Sequence, residues 1–332
     1  MEPNDRPTLT VLCSGDLRPP HMEAVERRMT VRYTDTAGLA ESVVGADALF
    51  LWDYFSTAVR DVWDHADRLR WIHVAAAGMD KLLFDELVDS AVTVTNARGV
   101  FDRPVAEFVL MSVLAHAKDA RCSQDLQRSR EWRHRETAMV IGSTALIVGT
   151  GAIGRETARL LTAVGMEVRG AGRTAREGDP DFGTVVASDE LVDHVGWADY
   201  VVVVAPLTKQ TRGLVNRTVL EAMKSTACLV NVGRGPCVVE NDLLAALASG
   251  QIAGAALDVF ETEPLPADHP LWSAPGVTMS PHMSGDAVGW LDTLARQFAD
   301  NAERFLDGAP LLNVVDKRLG FVPAVPQADV WA

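Results

Sequence analysis

Cysteine is scarce: Cys13, Cys122, Cys228 and Cys237 are the only four in 332 residues, and no two form a Cys-x-x-Cys pair. That argues against a disulfide framework and against a zinc site, and it fits a reducing compartment. No apolar run approaches the roughly 18 residues that cross a bilayer; the densest patch is Tyr200 to Ala205. The opening residues Glu2, Asn4 and Asp5 lack the charged-then-apolar order of a signal peptide. Positive charge is short as well, with 31 Lys and Arg against 45 Asp and Glu and a net charge of −14. Such a surface repels nucleic acid and anionic membranes, so any basic pocket must be local. No repeat of fixed period and no low-complexity tract occurs, which removes solenoids and tails. A soluble, cytoplasmic protein without nucleic-acid or membrane partners is expected.

What remains is a globular composition, 48% hydrophobic and 23% charged, in a chain long enough for two domains with separate cores. Short apolar runs alternate with helical patterns, the rhythm of strand-helix-strand units around parallel sheets. Leu9–Cys13, Ala48–Trp52, Trp71–Val74 and Val92–Thr95 read as buried strands, with a polar helical stretch over Pro20–Met29. Then the rhythm changes. Asp102 can cap a helix and Pro104 suits its first turn. Val105, Phe108, Val109, Ser112, Val113, Ala115 and Ala117 continue the pattern, which predicts a helix to about Arg130. Apolar on more than one side, it either crosses between domains, packs on a second subunit, or is a plain core helix. A second alternating unit runs from Thr144 to about Pro281, and an amphipathic helix from Ala287 to Leu306 carries Trp290, Leu294, Phe298 and Phe305.

Gly149-Thr150-Gly151-Ala152-Ile153-Gly154 is the strongest local motif. Alone it is weak, because glycines punctuate many turns. Here it follows the apolar run Ala145–Val148 and precedes the helical pattern Arg155–Val164. In that context the first glycine permits a tight turn and the second lets backbone approach a pyrophosphate. The third lets helix and strand pack closely, with the phosphate at the helix N-terminus. The next strand, Glu167–Ala171, ends where a carboxylate would hold the ribose 2′-hydroxyl of NAD. That place is Gly172, followed by Arg173 and Thr174, with Arg176 close by. Guanidinium groups attract a 2′-phosphate where a carboxylate repels it, so NADP is the expected preference and NAD remains possible. The plain alternative is that both arginines are solvated surface residues.

Three later segments carry chemistry. Leu229–Gly235 is a strand running into the glycine-flanked Arg234, Ala255–Pro264 is a strand ending in Glu261 and Glu263, and Val277–His282 ends in histidine. Singly, Arg234 reads as a surface ion-pair partner, Glu263 as a turn residue and His282 as a core histidine. Together they sit at ends of successive strands after a dinucleotide loop, where α/β sites form.

With these segments the chain resembles the D-isomer-specific 2-hydroxyacid dehydrogenases. The likeness covers almost its whole length, on Gly149–Gly154, Val204-Ala205-Pro206-Leu207-Thr208, Asn231–Gly235, Leu257–Pro264 and Ser280–Gly285. Arg173 and Thr174 give it the look of the NADPH-dependent glyoxylate and hydroxypyruvate reductases. The resemblance implies two Rossmann-like, doubly wound parallel-sheet α/β domains with a cleft between them. It implies a discontinuous substrate domain of 1–103 with 286–332, and a dinucleotide domain over 104–285 that includes the long dimerisation helix of a homodimer. It makes Arg234 the substrate-orienting arginine, His282 the acid-base and Glu263 its carboxylate partner. Ala77 and Gly78, in Ala75–Asp80, match the turn that holds the substrate carboxylate, and Asp258 matches the residue that engages the nicotinamide end. Ala205, Pro206, Thr211, Val232, Gly233, Arg234, His282 and Gly285 complete the implied cofactor contacts. The want of a carboxy-terminal regulatory extension speaks against control of the serine-biosynthesis kind.

The physical logic agrees. A 2-keto acid is an anion whose carbonyl oxygen gains charge as hydride arrives, so Arg234 binds it more strongly toward the transition state. His282 as imidazolium delivers the proton, and the Glu263 carboxylate favours that charged form. Reduction should then fade as pH climbs, and oxidation should show the reverse. Trp52, Tyr54 and Phe55 either wall the substrate site or pack the core. Small substrates such as glyoxylate, hydroxypyruvate or pyruvate are favoured. The rivals are a dinucleotide-sensing corepressor scaffold, against which the complete Arg234, Glu263 and His282 set speaks, and a dehydrogenase of another anion. Formate enzymes of this kind carry glutamine where Glu263 stands; phosphite oxidation is harder to separate.

Overall fold

Runs of β-branched and aromatic residues, apolar at every position, make strands that are buried on both faces of a parallel sheet. The computed structural model describes residues 6–323, which divide into two units, 6–100 with 288–323 and 101–287. In the first unit β1 (Thr8–Leu12), β2 (Thr30–Thr34), β3 (Ala48–Leu51), β4 (Trp71–Val74) and β5 (Thr93–Asn96) form one parallel sheet. Its order is β2-β1-β3-β4-β5, and β3 and β4 are buried throughout. β2 was not expected. Its sequence, Thr-Val-Arg-Tyr-Thr, reads as polar because an edge strand leaves much of itself in solvent. The expected Pro20–Met29 helix is Glu23–Arg28, ending just before β2 begins at Thr30.

The Trp290–Leu306 helix belongs to this same unit. Leu294, Phe298 and Asn301 recur at helical spacing and are all buried. The Phe298 ring stacks on Phe50 with centroids 3.8 Å apart and on Trp71 at 5.4 Å. His73 sits in this cluster, wholly buried, and burial pushes its pKa down to about 3. The imidazole is therefore neutral. Thr95 Oγ1 accepts the Trp71 Nε1–H at 2.9 Å and shares a hydrogen bond with His73 Nδ1, 2.8 Å away. Since Phe298 ties the late helix to the early sheet, Phe298→Ala should lower stability by about 3–5 kcal/mol, read by urea denaturation.

In the second unit β6 (Thr144–Val148), β7 (Glu167–Gly172), β8 (Arg176–Asp179), β9 (Gly183–Ala187), β10 (Tyr200–Val203), β11 (Cys228–Asn231), β12 (Gly254–Leu257) and β13 (Val277–Met279) form one sheet. The order is β13-β12-β11-β10-β6-β7-β9-β8. The chain leaves β6 toward β7 and β9, then returns to β10 on its other side, which makes a switch point at the strand ends. Alternate side chains explain the continuous apolar runs. Ala145 and Ile147 pack with Val105, Val109, Ala158 and Leu161 on one face, and Leu146 and Val148 with Val219, Leu243 and Leu247 on the other. β8 is the exception to the parallel pattern, since it pairs antiparallel with β9.

The long helix differs from expectation in two ways. Phe101, not Asp102, stands at its N-cap, and Asp102 is an acid of the first turn. It also stops at Ala117, and a second helix runs over Ala120–Ser129. Asp119 takes a left-handed φ of 47° between them. A continuous helix would give the Ala117 carbonyl to residue 121. Here it accepts the Ala138 N–H at 3.0 Å, while Arg135 Nη2 donates to the Asp119 carbonyl at 2.7 Å.

Candidate active site

The glycine loop joins β6 to the Ala152–Ala163 helix, and each glycine has its own steric reason. Gly149 has φ 116°, and a Cβ there would lie 2.8 Å from Ala205 N; a Cβ at 154 would collide with the Gly149 carbonyl oxygen. Gly151 faces open space, with nothing within 4 Å of an added Cβ. A pyrophosphate can therefore meet the backbone at Gly151, beside the helix N-terminus, and the residues present fit a dinucleotide. Gly172 ends β7, and a Cβ on it would lie 3.0 Å from Thr150 Oγ1. A side chain at 172 would therefore require Thr150 to give way by a few tenths of an ångström. Arg173 and Thr174 follow in an exposed turn. Arg176 is engaged elsewhere: its Nε donates to Asp179 Oδ2 at 2.9 Å.

Ala205 and Pro206 follow β10 by two and three residues. Thr211 closes their loop, with its hydroxyl donating to the Pro206 carbonyl at 2.6 Å and accepting the Thr208 N–H at 2.8 Å. After β11, Val232 is buried and Gly233 lies so near this loop that a Cβ would come 2.8 Å from the Ala205 carbonyl oxygen. Asn231 brackets the next turn, accepting the Gly233 N–H and donating through Nδ2 to the Arg234 carbonyl, both at 3.2 Å. Gly235 abuts the Phe260 backbone and has no room for a side chain. Arg234 is thus held from both sides, and its Nη1 donates to the Gly233 carbonyl at 2.8 Å.

Glu263 lies beside it. The Phe260 N–H donates to Oε1 at 2.9 Å, and His282 Nδ1 meets Oε2 at 2.8 Å. Burial raises the Glu263 pKa, but bonds from His282 and Phe260 and the nearby charges of His282 and Arg234 outweigh it, leaving the carboxyl below its ordinary value. Arg234, Glu263 and His282 therefore converge. Because Nδ1 faces an ionised carboxylate it carries a proton, which leaves Nε2 as the atom that exchanges one.

Asp258 builds the loop that carries the histidine. It is wholly buried. Its carboxylate accepts the Ser280 hydroxyl and the N–H groups of Met283 and Ser284, at 2.9 and 3.0 Å for the last two. Its carbonyl accepts the His282 N–H at 2.8 Å, and His282 adopts a left-handed φ of 52°. That conformation costs a non-glycine residue of order 1–3 kcal/mol and persists because the surrounding bonds dictate it. Gly285 packs on Phe101, where a Cβ would lie 2.7 Å from the ring.

In the other unit Ala77 and Gly78 follow β4. The Ala76 carbonyl accepts the Ala97 N–H at 3.0 Å, and the Ala77 carbonyl accepts Asn96 Nδ2 at 2.7 Å. C=O and N–H point opposite ways in a trans peptide, so these anchors aim the Ala77 and Gly78 N–H groups away from Asn96 and Ala97. Asn96 was not singled out from the sequence; its only signal was its place at the end of β5. Trp52 is buried and meets Phe50 edge-on, with centroids 5.6 Å apart, so it packs the core. Tyr54 contacts Phe55 at 4.6 Å and Trp290 at 6.0 Å, and Phe55 is exposed. Trp290 is therefore only partly buried, at the helix start.

Comparison with known proteins bears on all of this. Residues 110–284, more than half of the chain, match the family model described as D-isomer specific 2-hydroxyacid dehydrogenase, NAD binding domain. A glyoxylate reductase of Thermococcus kodakarensis is 34% identical over 269 residues, 78% of this chain and 80% of that one. A Xanthobacter autotrophicus D-isomer specific 2-hydroxyacid dehydrogenase, solved with NADPH and MES, has TM-score 0.80 and 30% identity over 94% of this chain and 99% of its own. An NADPH-dependent glyoxylate/hydroxypyruvate reductase of Sinorhizobium meliloti, solved with NADP and sulfate, has TM-score 0.79 and 27% identity over 95% and 100%. The chain belongs to the D-isomer specific 2-hydroxyacid dehydrogenase family, the nicotinamide-dependent oxidoreductases of 2-hydroxy acids. Both its units have the expected doubly wound fold. Among the described residues no helix is long and apolar enough to cross a membrane.

Proposed function

We propose that the protein reduces a small 2-keto acid, of the glyoxylate or hydroxypyruvate kind, to a D-2-hydroxy acid, with NADPH as preferred cofactor. The carrying observation is the convergence of Arg234 and His282 on one ionised Glu263. Bound nicotinamide dinucleotide supplies the hydride. Arg234 binds the keto-acid anion and its charge answers the charge growing on the carbonyl oxygen. His282 Nε2 delivers the proton that completes the alcohol, while Glu263 holds the ring by Nδ1 and balances the imidazolium. In the unit of β1–β5 the reading gives the Ala77 and Gly78 N–H groups a carboxylate as ligand. The glycine loop, Ala205, Pro206, Thr211, Val232, Gly233, Asp258 and Gly285 are assigned to the cofactor side.

NADPH preference rests on Gly172, crowded by Thr150, and on the exposed Arg173 that follows. Arg173→Ala should weaken NADPH by about tenfold or more while NADH changes less than about twofold, as bidentate charge-assisted bonds to phosphate are lost. Equal losses, measured by fluorescence quenching, would remove Arg173 from phosphate reading. The substrate is tested by NADPH oxidation against a panel of 2-keto acids with NADH in parallel, and by product chirality. Turnover of phosphite with none of any keto acid would overturn the proposal.

The reading extends to a cytoplasmic homodimer. Four free cysteines go with a reducing compartment. Trp132 is fully exposed, as to lesser degrees are Met111, Met139 and Ile141, all on the long helix or the segment after it. Large apolar side chains so placed mark an association surface. Light scattering should give twice the chain mass.

A further inference from the structure

Asp179 takes no part in the chemistry above, yet it is a buried carboxylate surrounded by donors. From the Ala152–Ala163 helix Arg155 grips it fork to fork, Nη1 to Oδ1 at 2.9 Å and Nη2 to Oδ2 at 3.0 Å. From β8 Arg176 donates to Oδ2 through Nε at 2.9 Å, with Nη2 at 2.8 Å. The N–H groups of Asp181 and Phe182 reach Oδ1 at 3.1 and 3.4 Å. Burial raises the Asp179 pKa, and the bonds from Arg155, Asp181 and Arg176 outweigh it, so the group stays ionised well below the usual carboxylate range.

This cluster joins the β8–β9 ladder, the Thr184–Glu177 bond and the Arg159–Asp181 pair in tying the sheet edge to the dinucleotide helix. β8 is a four-residue edge strand whose pairing is irregular between Glu177 and Asp179. It buries only its last residue, so apolar contact fixes it poorly. Arg176 Nη1 also donates to the Thr174 carbonyl at 3.4 Å. Arg155 reaches Asp181 at 2.7 Å and lies 5.5 Å from the Phe182 ring centre. Phe182 in turn lines the wall that a Cβ on Gly170 would strike at 3.0 Å. The turn between β7 and β8, which carries Arg173 and Thr174, is thereby fixed to the first turns of the dinucleotide helix.

We infer that Asp179, with Arg155 and Arg176 as its two arms, is a positioning residue for cofactor selectivity that holds the Arg173–Thr174 turn where a ribose 2′-phosphate is met. Arg176 is then a brace and not a phosphate ligand. The inference rests on the NADPH reading and deepens it. Ordering a mobile turn and its long side chains on binding costs free energy, and a turn ordered beforehand avoids that cost. Coulomb's law alone gives the opposite sign, because a carboxylate near a phosphate dianion repels it and its removal should tighten binding. The direction of the change therefore decides.

The test titrates the cofactor-free protein calorimetrically with 2′,5′-ADP and with 5′-AMP, which differ by the 2′-phosphate. Wild type should prefer 2′,5′-ADP by at least about tenfold, and Arg173→Ala should end that preference. Asp179→Asn keeps the size of the side chain and removes its charge. Arg155→Lys and Arg176→Lys keep the positive charge and lose the fork. Each should weaken 2′,5′-ADP by about tenfold and 5′-AMP by less than about twofold. If Arg173→Ala ends the preference but Asp179→Asn and Arg155→Lys preserve or increase it, the brace is wrong and the NADPH reading stands. Equal losses for both nucleotides mean a general structural role and also overturn it. No preference in wild type brings down the NADPH reading and the brace together. Should Asp179→Asn not fold, as judged by circular dichroism, the two lysine variants decide in the same way.

Discussion

Arg234→Ala is expected to lower kcat/KM for glyoxylate or hydroxypyruvate by about 10³-fold, about 4 kcal/mol of transition-state stabilisation, with NADPH affinity nearly intact. The size follows from what the guanidinium faces. A fixed cation beside a carbonyl oxygen that turns anionic loses most when the charge is largest, so kcat falls along with kcat/KM. The sparing of cofactor binding follows from the backbone. Asn231 holds the Arg234 carbonyl and the Gly233 N–H, and Gly235 is wedged against Phe260, so the turn keeps its shape without the side chain. Arg234→Lys restores charge and loses the planar fork, and should recover about tenfold of the loss. Wild-type kcat/KM in Arg234→Ala for every keto acid tested would take Arg234 out of the mechanism.

How much of this was legible before the structure depends on where each residue's partners lie in the chain. β3, β4, β10 and β11 showed themselves because both faces are buried and nearly every position is apolar, His73 and Asn231 excepted. The glycine loop was legible because its constraints are local: strand, tight turn and helix in succession. Arg234, Glu263 and His282 were legible as residues at strand ends, though not their mutual distances. β2 and β8 stayed hidden because edge strands keep polar side chains, and Arg-Glu-Gly-Asp has no apolar residue at all. The break at Asp119 was hidden for a different reason. Its causes, Arg135 and Ala138, lie about a helix length further along, and nothing within the helix itself announces them. Asn96 was passed over, and Asn231 was read only as the start of a motif, because amides at strand ends read as ordinary turn residues. Their importance lies in which backbone carbonyls they hold.

His282→Gln should reduce keto-acid reduction by about 10²–10⁴-fold and flatten its dependence on pH. On the proposed mechanism His282 Nε2 delivers the proton that completes the alcohol, so without the imidazole that step has no donor. Glu263 sets the lower boundary. Its carboxyl is held below the ordinary value of 4.5, burial opposing and the His282 bond prevailing. A depressed carboxylate stabilises the folded loop at all pH above its unfolded value and ceases to do so as pH falls through the folded one. The His282–Glu263 pair should therefore be intact across the neutral range and come apart only below about 4.5. Glu263→Gln removes the anion and keeps an acceptor for Nδ1–H, so the loss of activity at low pH that protonation of Glu263 causes in wild type should be absent from that variant. If Glu263→Gln and wild type share one pH profile, the carboxylate does not act through the histidine. If His282→Gln keeps the wild-type profile, the proton comes from another group.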